Sequence, residues 1–496
     1  MSSRQSFSKF ATSHQLRAAI ALAFGILLAL SGQFVLAQDA GGGDAGGGDA
    51  GGGDAGGDTG DDQPAVAAGV SVDANGLLQR VTVHDPTGQL IRQRVQESKA
   101  RLGREITERS PLRKVSLTRL ARLIRQAIDE GHGPNEAMMH LAGLTRIQYV
   151  FYYPDSQDIV LAGPAEGWVE TPSGRVVGFH TGQPTMELQD LVVALRAFPP
   201  NQQSNPLVHC SIDATPEGLQ RMQQFLSSLG RQVPNGRERA FEQYVVEGLR
   251  EHLGPQIITL GGISSKTHFA QVMVEADYRM KLIGIGLEPA PARIRSYLSL
   301  ASFGSIARNA MCRWWFVPDY QRIKVSEDGN AAEFVGNGVK LVGEDELVAS
   351  DGSRRQAGVQ NRASRKFTQS FTDKYAQIAA HAPVYGQLRN CIDMLVAAAF
   401  IQQHDMYSKA DWDLAVLGNE ATYPVESYNA PQQVASAVNS MWKGRRLATP
   451  VGGGVQIQAK QALSGDNLLA DEDGDVATAR IEVDLSDLPA DQWWWD

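Results

Sequence analysis

A chain of 496 residues with 43% hydrophobic and 20% charged residues is longer than one ordinary domain and has the balance of a soluble globular protein, which excludes a wholly disordered or membrane-spanning chain. The formal net charge of -9 becomes -12 without the bases Arg4, Lys9 and Arg17 of the N-terminal leader, and about -5 once the seven aspartates of the spacer behind it are also set aside. Acids and bases are interspersed over that remainder, so nucleic acid and anionic membrane are excluded as partners.

The leader has a basic, polar start, an apolar stretch from Ala18 to Leu30, and Val35 and Ala37 at the small-residue positions before a cut. Residues 1–37 therefore read as a signal peptide cleaved between Ala37 and Gln38; an uncleaved anchor is the alternative, disfavoured because Ser31, Gly32 and Gln33 interrupt a short apolar core. Gln5 replaces the second base of a twin-arginine signal, so the general secretion route is expected, with the product in the periplasm, cell envelope or medium. Residues 38–64 repeat Gly-Gly-Gly-Asp-Ala and cannot bury a core, so they read as a flexible acidic spacer. A calcium-binding repeat would need a large apolar residue in each period, which is missing.

A first α+β domain is expected over 65–235. Asn75-Gly76 and Asp85-Pro86 punctuate a small hairpin, and Ser116 caps a helix with the stripe Leu117, Leu120, Ile124 and Ile128 that stops at Gly131. A β meander follows over Arg146 to Tyr153, Asp158 to Ala162 and Trp168 to His180, folded back at Pro172-Ser173-Gly174; its strands are apolar on both faces, so both should be covered. A helix from Thr185, a strand from Leu207 to Ile212 and a helix from Thr215 to Gly230 complete this half.

A second α+β domain is expected over 236–450. It holds helices carrying Phe241 to Leu253 and Phe269 to Ile283, a meander from Trp314 to Leu347, and helices over Ala363 to Ala380 and Val384 to Gln403. The apolar run Ile392 to Ile401 has the length of a core helix and not of a membrane span. Residues 451–496 read as an acidic tail with a strand at Arg480 to Leu485 and a terminal Trp493-Trp494-Trp495 that docks on the body or on a partner. Asp471, Asp473 and Asp475 fail as a calcium loop, because Leu469 and Arg480 would stand at liganding positions. The fold class is thus α+β, two mixed domains each with an antiparallel meander against helices.

The three cysteines, Cys210, Cys312 and Cys391, allow at most one bridge and are expected mainly as buried thiols. His209 beside Cys210 is not a catalytic dyad, since neighbours on a strand point to opposite faces. Phosphate loops, zinc helices and nucleophile elbows are absent from the sequence, and no metal site or cofactor is expected. Two candidate sites remain. The loop Gly163 to Trp168 offers Glu166 and Trp168, with Asp155 on the other turn and His180 at the end of the meander. On the helix from Thr267, Glu275 with Arg279 and Asp277 with Lys281 are i,i+4 pairs that read as a solvated face; should that helix line a cleft, Asp277 and Arg279 become binding candidates.

Tyr149 to Asp155, Leu161 to Trp168, and Glu275 to Leu282 resemble segments of a family of uncharacterised secreted planctomycete proteins that share a domain of unknown function. The resemblance spans about Ala65 to Gln403 and implies an envelope protein without assigned activity or catalytic residues to carry over. The expectation is therefore an exported, non-catalytic protein that binds a protein or glycan of the envelope. The alternative is an exported hydrolase working through Asp155, Glu166 or His180.

Overall fold

In a computed structural model of the chain the described residues are 66–496, except 84, 86, 230–237, 302–311, 344–345, 349–353, 357–361, 441–450, 482–484, 486–487 and 490. The leader, its cut after Ala37 and the glycine–aspartate spacer lie outside them. The fold is α+β, built on two large mixed sheets with helices between them.

The first sheet runs, edge to edge, Val66–Val72, Leu77–Val83, Gln433–Val434, Gln256–Gly261, Val208–Asp213, Val451–Ile457, Cys312–Asp319 and Gly338–Gly343. The second runs Leu468–Ala470, Arg322–Val325, Ala331–Val335, Tyr149–Tyr153, Asp158–Ala165, Ser110–Ser116 and Trp494–Trp495. Each takes strands from both sides of residue 235, so the two halves expected from the sequence share their sheets. One continuous core runs from Leu78 to Trp493.

The covering expected for the apolar meander is supplied by the helix Leu117–Asp129 on one side and by Val476, Leu485 and Trp495 on the other. Ser116 caps that helix by accepting from the Arg119 N–H, and Gly131 beyond its end takes the left-handed conformation that suits glycine. The helix Gln89–Arg101 has no clear apolar stripe and was not legible in the sequence.

The helices His268–Gly284 and Pro383–Gln403 are buried nearly all round, which explains why their apolar residues do not form one narrow stripe. The first rests on the first sheet, where the Lys281 ammonium donates to the carbonyls of Ile212 (3.3 Å) and Gly453 (3.0 Å). The second packs on the first and reaches the other sheet through Phe400 against Phe334. Among the described residues no helix is long and apolar enough to cross a membrane.

The segment from 451 onward is not a detached tail. Val451–Ile457 lies between Val208–Asp213 and Cys312–Asp319, and at Gly453 (φ 122°) a Cβ would stand 1.8 Å from the Trp314 carbonyl oxygen. The strand expected at Arg480 to Leu485 is replaced over Asp475–Ile481 by a helix, because Asp471 Oδ2 accepts from the N–H groups of Val476 and Ala477 (both 3.0 Å) and caps its first turn. The terminal tryptophans dock on the body. Trp494 and Trp495 pair with Val115 and Lys114, and the Arg113 guanidinium lies 4.5 Å from the Trp494 ring centre.

Candidate functional site

The residues singled out from sequence are not gathered in one place. Asp155 lies exposed in the turn before strand Asp158–Ala165, while Glu166 follows its last residue, so the two stand roughly 25 Å apart along the strand. Glu166 is 1% exposed, and its carboxylate accepts from the backbone N–H groups of His180 (2.8 Å) and Thr181 (3.1 Å) and from the Thr181 hydroxyl. It packs on Gly178, where a Cβ would fall 2.1 Å from Glu166 Oε1. Glu166 and His180 are thus brought together through the backbone of His180, whose side chain is exposed.

Trp168 is buried, donates its indole N–H to Glu136 Oε1 (3.1 Å) and sets its ring edge-on to His140, with centroids 5.4 Å apart. Both i,i+4 pairs of the charged helix form, Lys281 to Asp277 at 2.7 Å and Arg279 to Glu275 at 3.3 Å, but they are buried and not solvated. Arg279 also bonds Glu288 (2.8 Å). Asp277 faces the first sheet, and burial pushes its carboxyl up to about 6 against the pull of Lys281.

Of that charge run it is Glu275 that faces a cleft, of about 850 Å³, which is the size of a small-molecule site. The walls come from the edge strand Val66–Val72, from His140 behind the short helix Glu136–Met139, from the hairpin Trp168–Gly178, from the helices His268–Gly284 and Pro383–Gln403, and from the loop 423–429. Arg175 of the hairpin spans the interior, donating to both oxygens of Glu275 (2.5 Å each) and to the Gln387 side-chain oxygen. The carboxylates of Glu170, Glu187, Glu275 and Glu426 outnumber the cations Arg175 and His268 on the walls, giving a negative interior.

Two helix starts meet at one side of this cleft. Thr267 caps the helix His268–Gly284 by accepting from the Ala270 N–H, which fixes His268 as its first residue; Glu187 precedes the helix Leu188–Ala197, with Asp190 in its first turn. His268 Nδ1 lies 2.8 Å from Asp190 Oδ2 and 3.8 Å from Glu187 Oε2. One ligand-type atom from each of the three residues falls within 4.8 Å of the others. Gln189 orients Glu187 by donating to Oε2 (2.6 Å), and the same amide reaches the Tyr428 hydroxyl (3.4 Å).

Burial works against a charged His268, but Asp190 and Glu187 outweigh it and push its pKa up to about 9. Burial likewise opposes ionisation of Glu187, yet His268 holds it below the ordinary carboxylate range; for Asp190 burial wins and raises the carboxyl. His140, across the same corner, is lowered by burial and stays a neutral imidazole. Three buried polar atoms here make no hydrogen bond: Asp190 Oδ1, Gln189 Oε1 and His140 Nδ1.

Sequence reasoning missed Glu187, Asp190 and His268, since a carboxylate pair at one helix start and a histidine at another are each commonplace until the fold joins them. Cys210 and Cys391 are buried free thiols, as expected, with burial pushing both pKa values well above the ordinary thiol range; the Cys312 side chain lies outside the described residues. His209 turns its ring to the Leu207 carbonyl (3.2 Å) and makes no dyad with Cys210.

Residues 210–297, less than a fifth of the chain, match the family described as Protein of unknown function (DUF1598). Of the three segments that carried the resemblance, only Glu275 to Leu282 lies inside the match. The matched region supplies His268, Gln271 and Glu275 to the cleft, whereas Glu187, Asp190 and Tyr428 come from outside it. No curated protein and no solved structure matches the chain.

Proposed function

We propose that this is an exported, non-catalytic binding protein that takes a glycan fragment of neutral or amino sugar units into the cleft. The observation that carries the reading is the composition of the walls: Gln189, Gln271, Gln387, Asn429, Tyr423 and Tyr428 and a surplus of carboxylates line one cavity. Amides, phenols and carboxylates supply the donors and acceptors that sugar hydroxyls need, and the negative interior favours an amino sugar over a uronic acid or a phosphate. Export rests on the leader and the spacer behind it. The hydrolase alternative needs reactive groups at one point, and the separation of Asp155 from Glu166 weighs against it.

Titration calorimetry of the purified chain against neutral, amino and acidic oligosaccharides tests the binding reading. Micromolar binding of neutral or amino sugars is expected, weakened at least tenfold by Gln271→Ala; uniform silence across the three classes would overturn it. For export, the test is the N-terminus of the protein recovered from its natural host. Mass spectrometry should find Gln38 first, and an intact Met1 on cytosolic material would refute it.

A further inference from the structure

We infer that Glu187, Asp190 and His268 hold a divalent metal ion of the zinc class at the wall of the cleft. Two carboxylates and one imidazole form a mixed oxygen–nitrogen donor set, which suits zinc better than the all-oxygen cages of calcium or magnesium. Bonds of about 2.0–2.2 Å to one tetrahedral ion place neighbouring donor atoms roughly 3.4 Å apart. The observed separations from His268 Nδ1 are 2.8 Å to Asp190 Oδ2 and 3.8 Å to Glu187 Oε2. All three donor atoms lie within 4.8 Å of one another, and small rotations of the Glu187 and His268 side chains bring them to that spacing.

The independent observation is Asp190 Oδ1. The residue is only 3% exposed; His268 and the Phe269 backbone N–H both act on its carboxylate, yet Oδ1 itself makes no hydrogen bond, with a second carboxylate beside it. A buried carboxylate oxygen left without a partner is costly in a structure that needs no cation there. Gln189 already supplies the outer contact that holds a metal-binding carboxylate in place, through its 2.6 Å bond to Glu187 Oε2. On binding, the ion takes the position of the His268 Nδ1 proton, which leaves to solvent. Three protein donors with the cleft beyond them leave a coordination position open to a ligand oxygen.

The inference stands on these three side chains and not on the identity of the glycan, so its test contains no sugar. The full chain, stripped with chelator, is titrated with Zn²⁺ and separately with Mg²⁺, beside the single variants Glu187→Gln and Asp190→Asn. The wild type is expected to take up one Zn²⁺ at least tenfold more tightly than Mg²⁺, with a rise in Tm, and each variant to lose that equivalent by tenfold or more. Weak zinc binding by the acidic spacer is common to all three proteins and drops out of the comparison. Should Asp190→Asn fail to fold by circular dichroism, Glu187→Gln decides the question, because its side chain stands at the edge of the cleft. Zinc uptake equal in wild type and Glu187→Gln, or none in either, would overturn the inference and leave a histidinium held between two carboxylates.

Discussion

Glu166 and Glu187 are both carboxylates that flank the hairpin Trp168–Gly178, and both belong with a histidine, yet they have opposite relations to their surroundings. Glu166 is closed: two backbone N–H groups and a hydroxyl occupy its oxygens, Gly178 packs on its stem, and His180 contributes only main chain. Glu187 is open: it faces a cavity, its histidine is met through the side chain, and Asp190 beside it keeps an unused oxygen. A carboxylate whose bonds are all made by its own chain holds a loop together, and one left with bonds to make can hold something else.

The sharpest way to break this contrast is to remove each carboxylate and read stability. Glu166→Ala strands two N–H groups and opens a gap against Gly178, so a loss of about 3 kcal/mol is expected in urea unfolding. Glu187→Gln in the metal-free chain is expected to cost less than about 1 kcal/mol, since the amide still accepts from Gln189. Equal losses would show that Glu187 is as structural as Glu166.

The contrast also explains what the sequence could and could not disclose. Ser116, Gly131, Asn75-Gly76 and the alternation in Ile147 to Tyr153 act over a few residues, and the elements they mark are present near the expected limits. The boundary near 235 failed as a division of the sheets because the pairing of Val208–Asp213 with Gln256–Gly261 and Val451–Ile457 depends on contacts far along the chain. The tail misled for a related reason: Gly453 and Gly454 look like linker residues, but a central strand crowded by Trp314 and Cys210 requires them. Glu166, in a glycine-bounded loop, was conspicuous for turn chemistry. Glu187, Asp190 and His268 carry no local mark, since their meaning lies in two helix starts that are distant in sequence.

Asp277 sharpens the comparison from another side, being buried with only one of its oxygens used. Its Oδ2 accepts from Lys281, its Oδ1 makes no hydrogen bond, and Asp213 and Arg313 are the other charges that act on it. Because its folded pKa, about 6, lies above the ordinary 3.8, the folded state holds a proton more firmly than the unfolded chain. Its contribution is therefore fully present below about pH 4 and is lost as the pH rises through 6. At roughly 1.4 kcal/mol per pH unit the decline should amount to about 2 kcal/mol, less than the full interval allows because Lys281 and nearby backbone relax. Urea midpoints from pH 4 to pH 7 should show it in the wild type and lack it in Asp277→Asn. Parallel profiles would mean that the carboxylate is ionised throughout.

The smallest effect is expected at a carboxylate whose two oxygens are both engaged, as those of Glu166 are, but which is not buried. Arg313 donates to both oxygens of Asp213 at 2.9 and 3.0 Å and lies 5.0 Å from the Trp315 ring centre, yet the two side chains remain 37% and 38% exposed. Water can replace the guanidinium when it is removed, so Arg313→Ala should cost under about 1 kcal/mol, a difference that shrinks further in 1 M salt as screening shortens the reach of the charge. The substitution should also move the titration of Asp277 upward, because Arg313 helps to hold that carboxyl down. A loss comparable to that of Glu166→Ala would mean that the number of bonds, and not their burial, decides which carboxylates are structural. The distinction between the closed and the open carboxylate would then have to be made on ligand binding alone.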